Sequence, residues 1–179
     1  MRRASREITS FDGMVDVIRR CDVCRIAFNG DEVPYILPQN FGYEVIRPDR
    51  SEIDERGSND SGKVFLYFHG ALEGGKYRYL KEGAKVAFEM DCDHVPLVNH
   101  ERNYATITYS SVMGVGRISF VPDDDKVRCL RLLLDHYGIS DFEIPDKSLA
   151  ITRVIRMEIL EMTGKSNASK LSDDRFERI

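Results

Sequence analysis

The stretch that most limits what this chain can fold into is VCRIAFNGDEVPYILPQNFGYEV, from Val23 to Val45. Apolar residues alternate with others on both sides of Asn29-Gly30-Asp31, and Asn-Gly is the strongest short-range signal for a β-hairpin. The alternation predicts strands at about 23–29 and 33–45, with Pro34 at the start of the second and Pro38 bending it or placing it at a sheet edge. A chain that commits to period two so early needs further strands to pair with these.

They follow in order. KVFLYFH and KVAFEMDCD read as buried strands on either side of a helical turn at 76–83. ATITYSSVMGVGRISFV reads as one long strand whose Gly114 and Gly116 suggest a bulge or a close backbone approach. AITRVIRMEILEMTGK alternates around Ile155, Met157 and Ile159 and reads as a closing strand. Helices are few. Thr9 or Ser10 caps a short one carrying Met14, Val15, Val17 and Ile18. PDDDKVRCLRLLLDHYG has acidic residues at its start, His136 in its last turn and Gly138 as its stop, with Val127, Leu130, Leu133, Leu134 and Tyr137 as the expected core stripe. Residues 47–62 are charged and turn-rich, a surface loop. Such a series of strands with short peripheral helices predicts a closed antiparallel sheet, which disposes of its edges without crossover helices. The fold class is mainly β, or α+β by a strict count.

With 179 residues the chain is long enough for one domain with a sizeable core. Its net charge of −4 and pI of 5.6 argue against a nucleic-acid surface, which needs clustered Lys and Arg. No apolar run approaches a membrane span and the start lacks a secretory h-region, so a cytoplasmic protein is expected. The four cysteines are scattered. Cys21-x-x-Cys24 would make a zinc site only by recruiting Cys92 and His94, whose spacing is too tight for a knuckle, so buried reduced thiols are expected.

One motif carries chemistry. Gly70, Gly75 and Lys76 fit G-x-x-x-x-G-K after a strand, the beginning of a nucleotide-triphosphate loop. The next position, where such a loop holds Mg²⁺ with a Ser or Thr hydroxyl, is Tyr77, and no βαβ repetition surrounds it. Whether the glycine turn and its lysine hold a phosphate, and whose, the motif alone leaves open. His94 and His100 are expected at the surface, and the aromatics Tyr67, Phe68, Tyr77 and Tyr79 in packing.

Taken together, CRIAFN, VPYILPQNFGY, VFLYFHGALEGGK, VAFEMDCDH, YSSVMGVGRISFV and MEILEMTGK, in this order, resemble the pyridoxamine 5′-phosphate oxidase-like split-barrel flavoproteins. The closest branch is that of the 5-nitroimidazole antibiotic resistance (Nim) proteins. The resemblance covers residues 1–165, one domain, and leaves 166–179 as a polar, loose tail. It implies a six-stranded antiparallel split β-barrel, a homodimer, and FMN in a cleft between subunits. By position it places His69 and Gly70 beside the flavin ring and Gly75 and Lys76 at the phosphate, helped by backbone N–H groups at the start of the following helix. Leu37, Pro38, Gln39 and Asn40 would run under the isoalloxazine, and Ser111 would face the flavin. The chain departs from the oxidases: Gly75 replaces the Arg of their Arg-Lys pair, LPQNFG lacks their Arg and Lys, and Ser111 replaces a Gln. It has no Trp, and nothing matches the oxidases' residues for the substrate phosphate. These departures argue against vitamin B6 oxidation. The resemblance implies instead an FMN-dependent reductase of a small electrophile such as a nitroimidazole, or a non-enzymatic flavin- or haem-binding module.

Overall fold

The computed structural model describes residues 4–48 and 61–179. Most of the loop expected at 47–62 therefore lies outside the described residues. In chain order the elements are β1 (Glu7–Ile8), α1 (Phe11–Arg20), β2 (Cys24–Phe28), β3 (Tyr35–Gln39), β4 (Gly42–Ile46), β5 (Lys63–Ala71), β6 (Lys85–Cys92), β7 (Pro96–Asn99), β8 (Tyr104–Ile107), β9 (Ser110–Phe120), α2 (Lys126–His136), α3 (Asp146–Ala150), β10 (Thr152–Ser166) and β11 (Glu177–Arg178). None of the helices described is long and apolar enough to cross a membrane.

The main sheet is antiparallel, with strand order β3-β2-β6-β9-β10-β5-β4 and β1 added to the far end of β10. The expected strand at 33–45 is in fact two. β3 and β4 sit at opposite ends of the strand order, joined only through Asn40 and Phe41. One bent segment thus supplies both edges of the sheet, and counted once it leaves the six strands of a split barrel. The closure expected from alternation is not made by hydrogen bonds, because β3 and β4 do not pair with each other. Covalent continuity and side-chain packing bring the edges together instead.

Inside lie Ile26, Phe28, Leu66, Phe68, Phe88, Met90, Ile118 and Met157, all at most 3% exposed, and α1 adds Val17 and Ile18. Ser10 starts α1 as expected, its hydroxyl accepting from the Gly13 amide at 3.1 Å. Helix α2 packs outside the barrel, where Cys129 meets Tyr67 of β5 and Val154 of β10. Its buried strip is Cys129 and Leu133, a turn apart, and Val127 of the predicted stripe is 48% exposed. A helix lying on a convex sheet face touches it along a narrower line than its apolar residues cover.

Three further expectations change in detail. The long strand expected at 105–121 breaks at Thr108 and Tyr109, because the buried Thr108 hydroxyl donates to the Asp93 carbonyl at 2.5 Å and turns the chain. The bulge signalled by Gly114 lies on its partner, between Ile159 and Glu161 of β10; a Cβ on Gly114 would collide with the Glu161 carbonyl. The tail is not loose. Asn167 is 5% exposed, its Oδ1 accepts from the Tyr109 amide at 2.7 Å, and β11 pairs with β7 in a small second sheet with β8.

Candidate functional site

The glycine-lysine motif forms a corner at the end of β5. Gly74, at φ 140°, admits a turn closed to L side chains, and Gly75–Arg78 follow as one 3-10 turn. The turn is fixed from several sides. The Tyr77 hydroxyl donates to the Ala71 carbonyl at 2.5 Å, Tyr79 stacks on Tyr35 at 5.2 Å, Leu80 is buried and Arg78 pairs with Asp31. This aims Lys76 back across β5, so that its ammonium lies over the Cα of Gly70, where any Cβ would displace it. The helix whose first amides were expected to cradle a phosphate is only this four-residue turn, and the Tyr77 amide is already bonded to the Gly74 carbonyl at 3.1 Å. Anion recognition here falls on side chains.

A second cation reaches the same corner from 77 positions further along the chain. Arg153 of β10 stands directly opposite Gly70 in the antiparallel register. Its guanidinium lies over the rings of Tyr77 and Phe120, at 4.9 and 5.2 Å. The aromatic pair thus holds the planar cation beside Lys76. Neither Lys76 nor Arg153 has a carboxylate partner among the described residues. Burial without a countercharge holds the Lys76 pKa below the ordinary lysine value. Loss of solvent, and then the Lys76 ammonium, likewise hold His69 below the usual histidine value. Two cations at a half-buried corner, set against ring faces, give it a local positive charge that an anion such as a phosphate would balance.

The other expected residues lie elsewhere. His69 is the next residue along β5 and faces the opposite side, with Val154 of the outer cluster opposite it. Leu37 points inward and packs on the core; Gln39 donates to the Pro38 carbonyl at 2.8 Å. The Asn40 amide donates to the Asp22 carbonyl at 3.3 Å and to the Tyr137 hydroxyl at 3.2 Å, pinning the bend between β3 and β4 to α2. Pro38 and Ser111 share the outer face of the sheet. Pro38 opposes Arg25, Arg25 opposes Glu89 and Glu89 opposes Met113, while Ser111 opposes Asp91 one row away.

On the same face, beside the Met113 row and away from Ser111, lies an open cavity of about 500 Å³ lined mainly by apolar atoms, including Ala27, Ile36, Met113 and Val115. Ile36 and Met113, three strands apart along this face, are 61% and 50% exposed. Ser111 stands nine strand residues from Phe120, roughly 30 Å from the cationic corner. Within one chain the expected residues therefore fall into a phosphate-like corner, an apolar outer face and the bend at Asn40. Arg153 was missed because nothing in the sequence around it marks an anion ligand. Only the register of β5 against β10 puts it beside Gly70.

The Pyridoxamine 5′-phosphate oxidase family model matches residues 12–166. No curated protein matches. Among solved structures, a proposed 5-nitroimidazole antibiotic resistance protein from Bacteroides thetaiotaomicron is 25% identical, with a TM-score of 0.70 over 89% of this chain and 86% of that one. The FAD and heme binding protein from Mycobacterium smegmatis has the same fold at 19% identity, with a TM-score of 0.72 over 97% and 84% of the two chains. The flavocytochrome Anf3 from Azotobacter vinelandii is 17% identical, with a TM-score of 0.63 over 90% and 69%. With its six-strand split barrel and a family match spanning every strand from β2 to β10, the chain belongs to the pyridoxamine 5′-phosphate oxidase family.

Proposed function

We propose that the protein is an FMN-binding flavoprotein, shared between two copies of the chain, that reduces small electrophiles such as nitroimidazoles. The observation that carries the cofactor reading is that Lys76 and Arg153 meet at Gly70, with no carboxylate partner among the described residues. Lys76 and Arg153 hold the phosphate, and Arg153 takes the place of the oxidases' arginine that Gly75 does not supply. The Tyr77 and Phe120 rings keep the guanidinium from folding away. The phosphate end and the apolar face are roughly 17–23 Å apart along β9 in one chain, from Phe120 to Val115 and Met113, which favours a cleft completed by a second chain. The exposed Ile36 and Met113 supply the apolar area such a partner would cover.

When bound, FMN supplies the hydride or electron transfer; the chain binds it, orients the ring and excludes water. His69, whose pKa is lowered by burial and by Lys76, lies on the other face of β5 and adds no third positive charge to the corner near pH 7. The similarity to the proposed 5-nitroimidazole resistance protein supports the substrate class. A second reading, non-enzymatic binding of flavin or haem, is favoured by the FAD and heme binding protein and the flavocytochrome among the structural neighbours. The visible spectrum of freshly purified protein separates the two cofactors, and turnover of a nitroimidazole with reduced nicotinamide separates enzyme from carrier. Light scattering tests the shared cleft: a stable monomer with FMN fully bound contradicts it.

A further inference from the structure

The C-terminal segment builds a second cationic recess, at the far end of β10 from the Gly70 corner. Asn167 anchors the segment at its start: Oδ1 accepts from the Tyr109 amide and Nδ2 donates to the Ile107 carbonyl at 3.3 Å. Glu177 and Arg178 anchor its end by pairing with β7. Between these fixed points the 3-10 turn Ala168–Ser172 and Phe176 lie against the β7–β8 hairpin and leave an open cavity of about 440 Å³, lined by Arg102, Tyr104, Lys170, Asp173, Arg175 and Phe176.

The charges of this recess are unequal. Asp173 is its one acid, and Arg175 engages both carboxylate oxygens, Nε donating to Oδ1 at 2.8 Å and Nη2 to Oδ2 at 2.7 Å. Arg102 and Lys170 have no carboxylate within ion-pair distance among the described residues. Both are nevertheless held in place. The Lys170 ammonium lies 4.9 and 5.3 Å from the ring centres of Tyr104 and Phe176, and donates one hydrogen to the Tyr104 hydroxyl at 3.2 Å. Its other two hydrogens, and the Tyr104 O–H itself, remain to donate. The hairpin turn sets the backbone of Arg102: Asn103 takes φ 47°, and Oδ1 of the buried Asn99 accepts from the Arg102 amide at 2.9 Å. Beside the two cations the Tyr104 and Phe176 rings meet edge to face, 6.1 Å apart, with Tyr104 43% exposed.

We propose that this recess binds a phosphate monoester carried on a planar ring, with Arg102 and Lys170 on the phosphate and the Tyr104–Phe176 wall against the ring. A phosphomonoester carries roughly −1.5 to −2 charge near pH 7, which two uncompensated cations match; a single carboxylate would balance only one of them. The Arg102 fork can take two phosphate oxygens together while Lys170 acts as a point charge. The open aromatic wall favours an ester with a planar body over free phosphate, since that body covers ring surface now facing water. The site stands apart from the Gly70 corner and does not depend on the cofactor reading.

The test titrates the isotope-labelled full chain with adenosine monophosphate at constant ionic strength and follows its backbone amide resonances. Saturable shifts are expected at Arg102, Tyr104, Lys170 and Phe176, with inorganic phosphate binding several-fold more weakly and adenosine and succinate more weakly still. Lys170→Met keeps the aliphatic stem on the rings and removes the charge, so adenosine monophosphate affinity should fall by about tenfold or more. Arg102→Gln, which lies outside the C-terminal segment, should do the same, and the Glu177 amide opposite Val98 shows that the segment stays docked. Lys76→Ala should leave the shifts at this recess unaltered. Shifts confined to the Gly70 corner, phosphate or succinate binding as tightly as adenosine monophosphate, or unchanged affinity in both charge variants would overturn the proposal.

Discussion

Gly42 and Gly70 both sit where another part of the chain presses on their Cα, and what presses on each is different. At Gly42, the first residue after the bend, a Cβ would run into the backbone of Leu132 and Leu133 in α2. At Gly70 it would meet only the tip of Lys76. The first contact is backbone on backbone and is reinforced by Phe41, whose amide donates to the Tyr137 hydroxyl at 3.3 Å and whose ring lies 4.6 Å from that of His136. The second is a flexible cation with no countercharge among the described residues. One glycine serves the closure of the barrel; the other leaves room for a charge that needs a ligand. The two regions should therefore fail in different ways, one through stability and one through binding.

The largest effect expected is that of Gly42→Ala. Because helix backbone cannot yield as a side chain does, overpacking there should cost roughly 3 kcal/mol, read as a lowered urea midpoint with an unchanged slope. A stability close to wild type would show that α2 can shift, and would remove the contrast with Gly70. Next is Arg153→Ala. It removes a charge-assisted contact worth about 1.5–3 kcal/mol, so FMN affinity should fall by about one to two orders of magnitude while thermal stability hardly moves. An unaltered FMN affinity would leave Arg153 as a strand-end cation packed on two rings.

Smaller again is Asn40→Ala, which deletes the amide's two hydrogen bonds across the bend and should cost about 1 kcal/mol of stability. Flavin affinity should stay the same if Asn40 acts through α2; a selective loss of flavin binding would place its side chain on the cofactor. The smallest change in stability belongs to Gly70→Ala, within about 0.5 kcal/mol of wild type. The new methyl displaces the Lys76 ammonium, so FMN should bind several-fold more weakly to a protein that unfolds normally. A large loss of stability there would make Gly70 a second Gly42.

Period two in VCRIAFN and KVFLYFH was enough to find the strands, because each buries one face and the alternation shows directly in the residues. The glycine turn was legible for a similar reason: Gly74, Gly75 and Lys76 lie within one local turn. The division of residues 33–45 between opposite edges of the sheet was not, since β3 and β4 alternate alike and only their partners, β2 and β5, tell them apart. Arg153 escaped on the same ground. Its role comes from lying opposite Gly70 across a strand pair, and its own neighbours, Thr152 and Val154, are ordinary strand residues. Gly114 was expected to mark a bulge or a close backbone approach, and it marks the approach: the Glu161 carbonyl presses on it, and the bulge itself lies on β10, because a glycine records closeness without saying which chain is irregular. Asn40, expected under the flavin, has its amide engaged by Asp22 and Tyr137, contacts made by residues 18 and 97 positions away.

The central claim is that the Gly70 corner binds the phosphate of FMN, and titrating Lys76→Ala with FMN and with riboflavin tests it most directly. Fluorescence quenching reads both ligands on the same preparation. The account predicts that FMN affinity falls by about one to two orders of magnitude, whereas riboflavin, which lacks the phosphate, binds the variant as it binds the wild type. Equal weakening of both flavins, or of neither, would contradict it and leave the glycine turn as a turn alone.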